Sequence, residues 1–166
     1  VADDGADLDG VHVLRDLADV DGIRADLTGA ASLRAVVVGA GYVGLEVAAS
    51  LRGLGVEVTV LEAADRVLAR VTAPAVSAFY ERRHREAGVE LRLGVGVTAF
   101  EGDTRVEGVR LADGEIVAAD LVVVGIGAIP AVDLALDAGL EVDDGIAVDA
   151  MGRTADPRVY AAGDCC

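Results

Sequence analysis

Gly39-Ala40-Gly41-Tyr42-Val43-Gly44 is the stretch whose residue types and spacing point most directly to chemistry. It is a G-x-G-x-x-G that comes after a β-branched run and opens an apolar helical pattern. In that setting the first glycine allows a tight turn, the second lets backbone approach a pyrophosphate, and the third lets the helix sit close on the strand. Free N–H groups and the positive end of the helix dipole then attract an anion. A chain with 21 glycines can produce the pattern by chance, so the residues downstream of it carry weight. Glu62 closes the next strand pattern, where a carboxylate can accept hydrogen bonds from both adenine-ribose hydroxyls. A 2′-phosphate beside Glu62 would meet like-charge repulsion, so NAD(H) is expected rather than NADP(H). Arg66 and Arg70 are the counterweight, since either could reach a phosphate or be a solvated surface charge.

Other residues gather around this fingerprint. Glu46 stands two positions after Gly44 and is expected in the first helical turn, where it would either face the site or stabilise the helix dipole. Tyr42 could cover the ligand pocket or simply pack. Gly125-Ile126-Gly127 ends an apolar run, where a doubly wound sheet places its ligand-facing loops. His12 and His84 lack convergent partners in the sequence. His84 lies in Glu81-Arg82-Arg83-His84-Arg85-Glu86, a charged helical pattern expected to be solvated, and no metal site is implied.

The elements that must position these residues read as strand, helix, strand: Ala35 to Val38, Val43 to Leu54 closed by Gly55, and Glu57 to Leu61. A helix from Pro74 to about Ala87 leads to a strand at Val89 to Leu93. Three short runs come next, Val97 to Glu101, Thr104 to Leu111 and Glu115 to Ala118. The Ala112-Asp113-Gly114 turn between the last two predicts an antiparallel meander inserted in a parallel sheet. Leu121 to Val124 reads as a buried strand returning to that sheet. Beyond Pro130 the pattern gives a short helix near Val132 to Ala138, an extended pair around Leu140 to Val148, and a last apolar piece at Val159 to Ala162. Val1 to Gly29 reads as a polar, acidic lead-in with a short amphipathic helix capped by Asp21. The fold class expected is α/β, a Rossmann-like three-layer domain with a parallel sheet, helices and an inserted three-stranded antiparallel meander.

Composition narrows the function. A formal net charge of −15 over 166 residues argues against a phosphate-backbone binder. Every one of the 14 basic residues is arginine, which excludes P-loop, Schiff-base and short-chain-dehydrogenase lysines. With 53% hydrophobic and 3% aromatic residues, the core is expected to consist of Val, Ala and Leu. The two cysteines, Cys165 and Cys166, lack the spacing of a zinc site or redox pair, and a reducing cytoplasm fits them. The longest apolar run, about Leu121 to Val132, is shorter than the roughly 20 residues of a membrane span, and no signal peptide is visible.

Three ordered stretches carry a family likeness: Val36 to Glu62, Leu121 to Pro130, and Thr154-Ala155-Asp156-Pro157-Arg158-Val159-Tyr160-Ala161-Ala162-Gly163-Asp164-Cys165. Together they resemble the FAD-dependent pyridine nucleotide-disulfide oxidoreductase superfamily, and within it the NADH-dependent ferredoxin reductases of the putidaredoxin and rhodocoxin reductase type that serve oxygenase systems. The fingerprint residues Gly39, Gly41, Tyr42, Val43 and Gly44 with Glu62 are the expected NADH contacts, Arg66 and Arg70 are candidates either for cofactor contact or for solvated surface charge, and the resemblance implies that Gly125, Ile126 and Gly127 pass close to the nicotinamide ribose. It implies that Glu46 lies beside nicotinamide and flavin and that Asp164 binds the flavin's ribityl part; the plainer alternative for Asp164 is a capping or turn aspartate. Members begin with a second glycine fingerprint for FAD and continue past Gly-Asp, so this chain, which starts at Val1, looks like an excised NAD domain. Residues 31–150 are then the NAD-binding domain, 1–30 a lead-in and 151–166 a return segment, both bordering an FAD domain of the same parent polypeptide. The parent is expected to be an FAD-dependent NADH:ferredoxin oxidoreductase that passes electrons to a [2Fe–2S] ferredoxin, with this fragment inactive alone and not holding FAD stably. The alternative is a stand-alone dinucleotide-sensing module that binds NAD(H) without chemistry.

Overall fold

The computed structural model describes residues 4–28 and 32–166. They form two compact units, Val1–Ile126 and Gly127–Cys166.

In the first unit, β1 (Val11–Val13), α1 (Leu17–Asp26), β2 (Arg34–Val38), α2 (Tyr42–Gly53), β3 (Glu57–Glu62), α3 (Pro74–Glu86) and β4 (Glu90–Leu93) precede a meander. The meander comprises β5 (Val97–Gly102), β6 (Val106–Leu111) and β7 (Ile116–Ala118), and β8 (Leu121–Val124) comes after it. Five strands pair in parallel in the order β1-β8-β2-β3-β4, and the meander is a separate antiparallel sheet in the order β5-β6-β7. The expected α/β class and the inserted meander are both present.

Alternation along the strands builds the three layers, because successive side chains leave opposite faces. Ala35 and Val37 of β2, Val58 and Val60 of β3, and Leu121 and Val123 of β8 pack with Leu45, Val47, Ala48 and Leu51 of α2. On the other face Val36, Val38, Leu61 and Val122 pack with Phe100, Val106, Val109, Leu111 and Val117 of the meander. Val37, Val60, Leu121 and Val122 are fully buried. Burial on both faces is why these strands read as unbroken apolar runs, and each such side chain stabilises the fold by about 1.5–3 kcal/mol.

The N-terminal segment departs from its reading as a polar lead-in. Val11, His12 and Val13 pair with Val122, Val123 and Val124, so β1 is an edge strand of the main sheet. An edge strand of only three residues, Val-His-Val, is too short for its alternation to be read from sequence. Helix α1 is capped by Asp16, not Asp21: Asp16 accepts from the N–H groups of Ala18 and Asp19, and the Asp19 carboxylate accepts from the N–H of Asp16. His12 also has partners, contrary to expectation. Its Nε2 lies 2.6 Å from Asp26 Oδ2, and Arg105 at the entrance to β6 donates to Asp26 Oδ1 at 2.9 Å. This cluster joins β1, α1 and the meander.

In the second unit the short helix is present as α4 (Asp133–Asp137). The extended pair expected over Leu140 to Val148 is reduced to the bridge Val142–Ile146, and the last apolar piece meets the chain through Arg153–Tyr160. Ile129, Leu134, Met151 and Tyr160 of this unit are more than half exposed. Among the described residues no helix is long and apolar enough to cross a membrane.

Candidate functional site

The C-terminal ends of β2, β3 and β8 lie side by side, with β2 in the middle. The chain leaves β2 toward β3 through α2, while β8 sits on the opposite side of β2. The loops at these strand ends therefore diverge, which in a doubly wound sheet marks the ligand crevice.

The glycine-rich turn occupies this point, and its three glycines do different things. Gly39 has φ +102°, and a Cβ there would stand 2.5 Å from Gly125 O. Only glycine combines that backbone conformation with so close an approach to the β8 end. A Cβ at Gly44 would lie 2.0 Å from Gly39 O, so α2 can start this close to the turn only without a side chain there. At Gly41 a Cβ would meet nothing within 4 Å. The middle glycine therefore faces open space.

That space adjoins unused donors. Gly41 is the N-cap of α2 and supplies no side-chain bond. Leu45 N–H donates to Gly41 O at 3.0 Å, whereas the N–H groups of Gly41, Tyr42, Val43 and Gly44 find no acceptor among the described residues. Four orphan N–H groups at the positive end of a helix make a binding surface for an anion. Tyr42 and Val43 are about half exposed, as is Ile126 at the end of β8, so apolar surface borders the polar cradle.

Glu62 stands at the end of β3. Its Oε2 accepts from Ala40 N–H at 2.6 Å and its Oε1 from Ala64 N–H at 2.8 Å. Each oxygen keeps a lone pair for a further donor such as a sugar hydroxyl. Glu46 is exposed but lies beyond the first turn of α2, which contains no acidic residue. The expectation of a first-turn position is corrected: α2 begins at Tyr42, so Glu46 is its fifth residue, and the helix-dipole reading weakens because that effect fades past the first turn.

The two arginines after Glu62 part ways. Arg66 is half-buried: Nη1 donates to Thr72 O at 3.0 Å and to Ser77 Oγ at 2.8 Å, and Nη2 to Ala69 O at 2.6 Å. Arg70 is exposed, and its Nη2 donates to Ile126 O at 3.2 Å, linking this loop to the end of β8. Within the same loop Leu68 adopts φ 54° and is buried, and its N–H donates to Ala40 O at 2.9 Å. Leu68 was not among the residues expected at the site, because a buried, left-handed leucine leaves no local sequence signal.

His84 is not solvated as expected. Its Nδ1 lies 2.9 Å from Tyr80 O and its Nε2 3.1 Å from Leu45 O, tying α3 to α2. Among the described residues no group of three His, Cys, Asp or Glu could hold a metal ion. In the second unit, Gly127 has φ +136° with open space at its Cβ position. Asp164 is exposed in a turn closed by Cys166 N–H donating to Gly163 O at 3.2 Å. Its carboxylate makes no hydrogen bond among the described residues, so it is open to an external donor.

The pyridine nucleotide-disulphide oxidoreductase family model matches residues 3–166. A ferredoxin–NAD(P)(+) reductase from a Sphingomonas species is 48% identical over 162 residues, which is 97% of this chain and 39% of that protein. Putidaredoxin reductase from Pseudomonas putida is 51% identical over 155 residues, 92% of this chain and 36% of that one. The crystal structure of a ferredoxin reductase from Rhodopseudomonas palustris superposes with a TM-score of 0.91 at 43% identity, covering 98% of this chain and 40% of that one. The chain thus spans about two fifths of the length of the relatives it matches. With the fingerprint, the strand order and the family match in agreement, the chain belongs to the pyridine nucleotide-disulphide oxidoreductase family.

Proposed function

We propose that this chain is the NADH-binding domain of an FAD-dependent ferredoxin reductase, a longer protein of which it forms about two fifths by comparison with its relatives. The observation that carries the reading is the set of orphan N–H groups at Gly41 to Gly44, bordering open space, with the Glu62 carboxylate at the neighbouring strand end.

In this reading the N–H groups of α2 hold the pyrophosphate and Glu62 accepts from the adenine-ribose hydroxyls. Both oxygens of Glu62 already accept backbone N–H groups, so the carboxylate is fixed before ligand arrives and loses little entropy on binding. The same negative charge disfavours a 2′-phosphate, which makes NADH the expected nucleotide. Tyr42, Val43 and Ile126 provide apolar cover, and Glu46 belongs to the nicotinamide end. Bound NADH would supply a hydride to the flavin of the longer protein, whose electrons would pass on to a ferredoxin-type acceptor. Asp164, with its unengaged carboxylate, fits a role in holding the flavin's hydroxyls. Residues 1–30 and 151–166 border the FAD domain, and the reducing cytoplasm suits the free thiols of Cys165 and Cys166.

Titrating the purified chain calorimetrically with NADH and, separately, NADPH tests the reading. Micromolar NADH binding, about −8 kcal/mol, with NADPH at least about tenfold weaker, is the expected result. Equal or reversed affinities would overturn the role of Glu62, and binding of neither nucleotide would overturn the assignment of the site to this chain.

A further inference from the structure

The segment between β3 and α3 contains the one non-glycine residue among those described that has positive φ, Leu68 at 54°. A leucine held there is strained and persists only where its surroundings over-determine it. Those surroundings are specific. The Leu68 side chain is buried in the helix-side core, and its N–H donates to Ala40 O, inside the glycine-rich turn. Ala40 O is thereby occupied by the loop and Ala40 N–H by Glu62, so both backbone polar groups of Ala40 are fixed from the β3 side.

Arg66 closes the loop that carries Leu68. Its guanidinium makes three hydrogen bonds, to Ala69 O, Thr72 O and Ser77 Oγ. Ser77, 1% exposed at the start of α3, in turn donates to Val67 O at 2.6 Å, and Thr72 Oγ1 donates to Leu68 O at 3.2 Å. Each residue flanking Leu68 is thus tied back to Arg66 or Ser77. A rigid guanidinium fork suits this bridging of several acceptors better than a lysine ammonium would.

We propose that Arg66 is a positioning residue: by closing the 66–77 loop it holds Leu68 in its left-handed conformation, and through the Leu68–Ala40 hydrogen bond it sets the glycine-rich turn for the dinucleotide. The inference rests on the NADH-binding reading above, and it assigns Arg66 a role inside the loop rather than on a phosphate.

The test compares the parent chain with Arg66→Gln, Arg66→Lys and Ser77→Ala in two measurements. Residue-resolved amide hydrogen exchange needs no ligand: the hydrogen-bonded N–H groups of Leu68, Gly39 and Ala40 exchange faster in Arg66→Gln and Ser77→Ala, while the N–H groups of β2 and β8 keep their protection. In titrations well below the unfolding temperature, both variants weaken NADH and NADPH by the same factor, about tenfold, and Arg66→Lys recovers only part of it. Unchanged exchange at Leu68 in both variants overturns the proposal, as does a loss confined to NADPH in Arg66→Gln with Ser77→Ala unaffected, the signature of a direct phosphate ligand. If the parent chain binds neither nucleotide, the NADH-binding reading fails on its own and the exchange data still decide whether Arg66 sets the turn.

Discussion

Ala40 N–H donates to Glu62 Oε2 at 2.6 Å, so the acid placed to accept ribose hydroxyls is also the group that anchors the glycine-rich turn. The two halves of the candidate site are a single hydrogen-bonded unit. Replacing Glu62 by Ala therefore removes two things at once. It takes away the ribose acceptor and leaves the N–H groups of Ala40 and Ala64 to find water, at about 1 kcal/mol each for half-buried donors. The expected outcome is a loss of NADH affinity of at least about tenfold, with NADPH falling less, so that the preference between them narrows. Glu62→Gln, which keeps one acceptor, should fall in between. Calorimetric titration of the three proteins with both nucleotides reads this directly, and an undiminished NADH preference in Glu62→Ala would contradict it.

Gly41 and Gly44 separate binding from folding. Alanine at Gly44 would bring a Cβ to 2.0 Å from Gly39 O, which is backbone and cannot turn aside. Helix α2 must then shift against β2, at a cost of about 1–3 kcal/mol. Alanine at Gly41 meets nothing within 4 Å, and the change of N-cap residue costs under about 1 kcal/mol. We expect Gly44→Ala to lower the thermal unfolding midpoint by several degrees. Gly41→Ala should keep the midpoint near that of the parent and lose most NADH binding, because its methyl group intrudes where the pyrophosphate approaches. Equal effects on stability would refute this division of labour.

The legible parts of the molecule were those with repeated local signals. Val36 to Glu62 announces strand, turn, helix and strand because burial on both sheet faces forces β-branched runs, and because the turn needs glycine at Gly39 for its φ and at Gly44 for its close contact. The Asp113-Gly114 turn announced the meander in the same way. What escaped depends on contacts between distant residues. β1 is a strand because Val11 to Val13 find β8, more than a hundred residues away, and His84 is half-buried because Leu45 O happens to lie within reach. Arg66 and Arg70 look alike in sequence and diverge in space, since only the fold decides which arginine turns toward Ser77 and which reaches Ile126. The cap of α1 was legible and misread: Asp16 with Asp19 three residues on has the spacing of a capping box, which outweighs the lone Asp21.

Acid sensitivity arises from the pair at the opposite end of the sheet. Asp120, just before β8, takes a bidentate pair from Arg34 at the start of β2, with Nη2 to Oδ1 at 2.8 Å and Nε to Oδ2 at 3.0 Å, and also accepts from Arg34 N–H. The side-chain bonds to Arg34 are the main reason the Asp120 carboxyl is held below its ordinary value, outweighing the opposing effect of partial burial. Asp26 is lowered as well: burial, its largest influence, pushes upward, but hydrogen bonds from His12 and Arg105 together with their charges outweigh it. A carboxyl whose folded-state pKa lies below its unfolded value of about 3.9 stabilises the fold fully above that value and ceases to do so as pH falls through the folded-state value. The unfolding temperature should therefore be flat from about pH 7 to pH 5 with respect to these groups and decline below about pH 4. Because Arg34 and Asp120 are both partly exposed, solvent screening keeps their share modest. Asp120→Asn should lower the midpoint slightly at neutral pH and flatten the decline at acid pH, and added salt should shrink the difference. Unfolding curves at a series of pH values for the two proteins give the comparison, and parallel declines would show that the Arg34 pair is not among the groups that set acid stability.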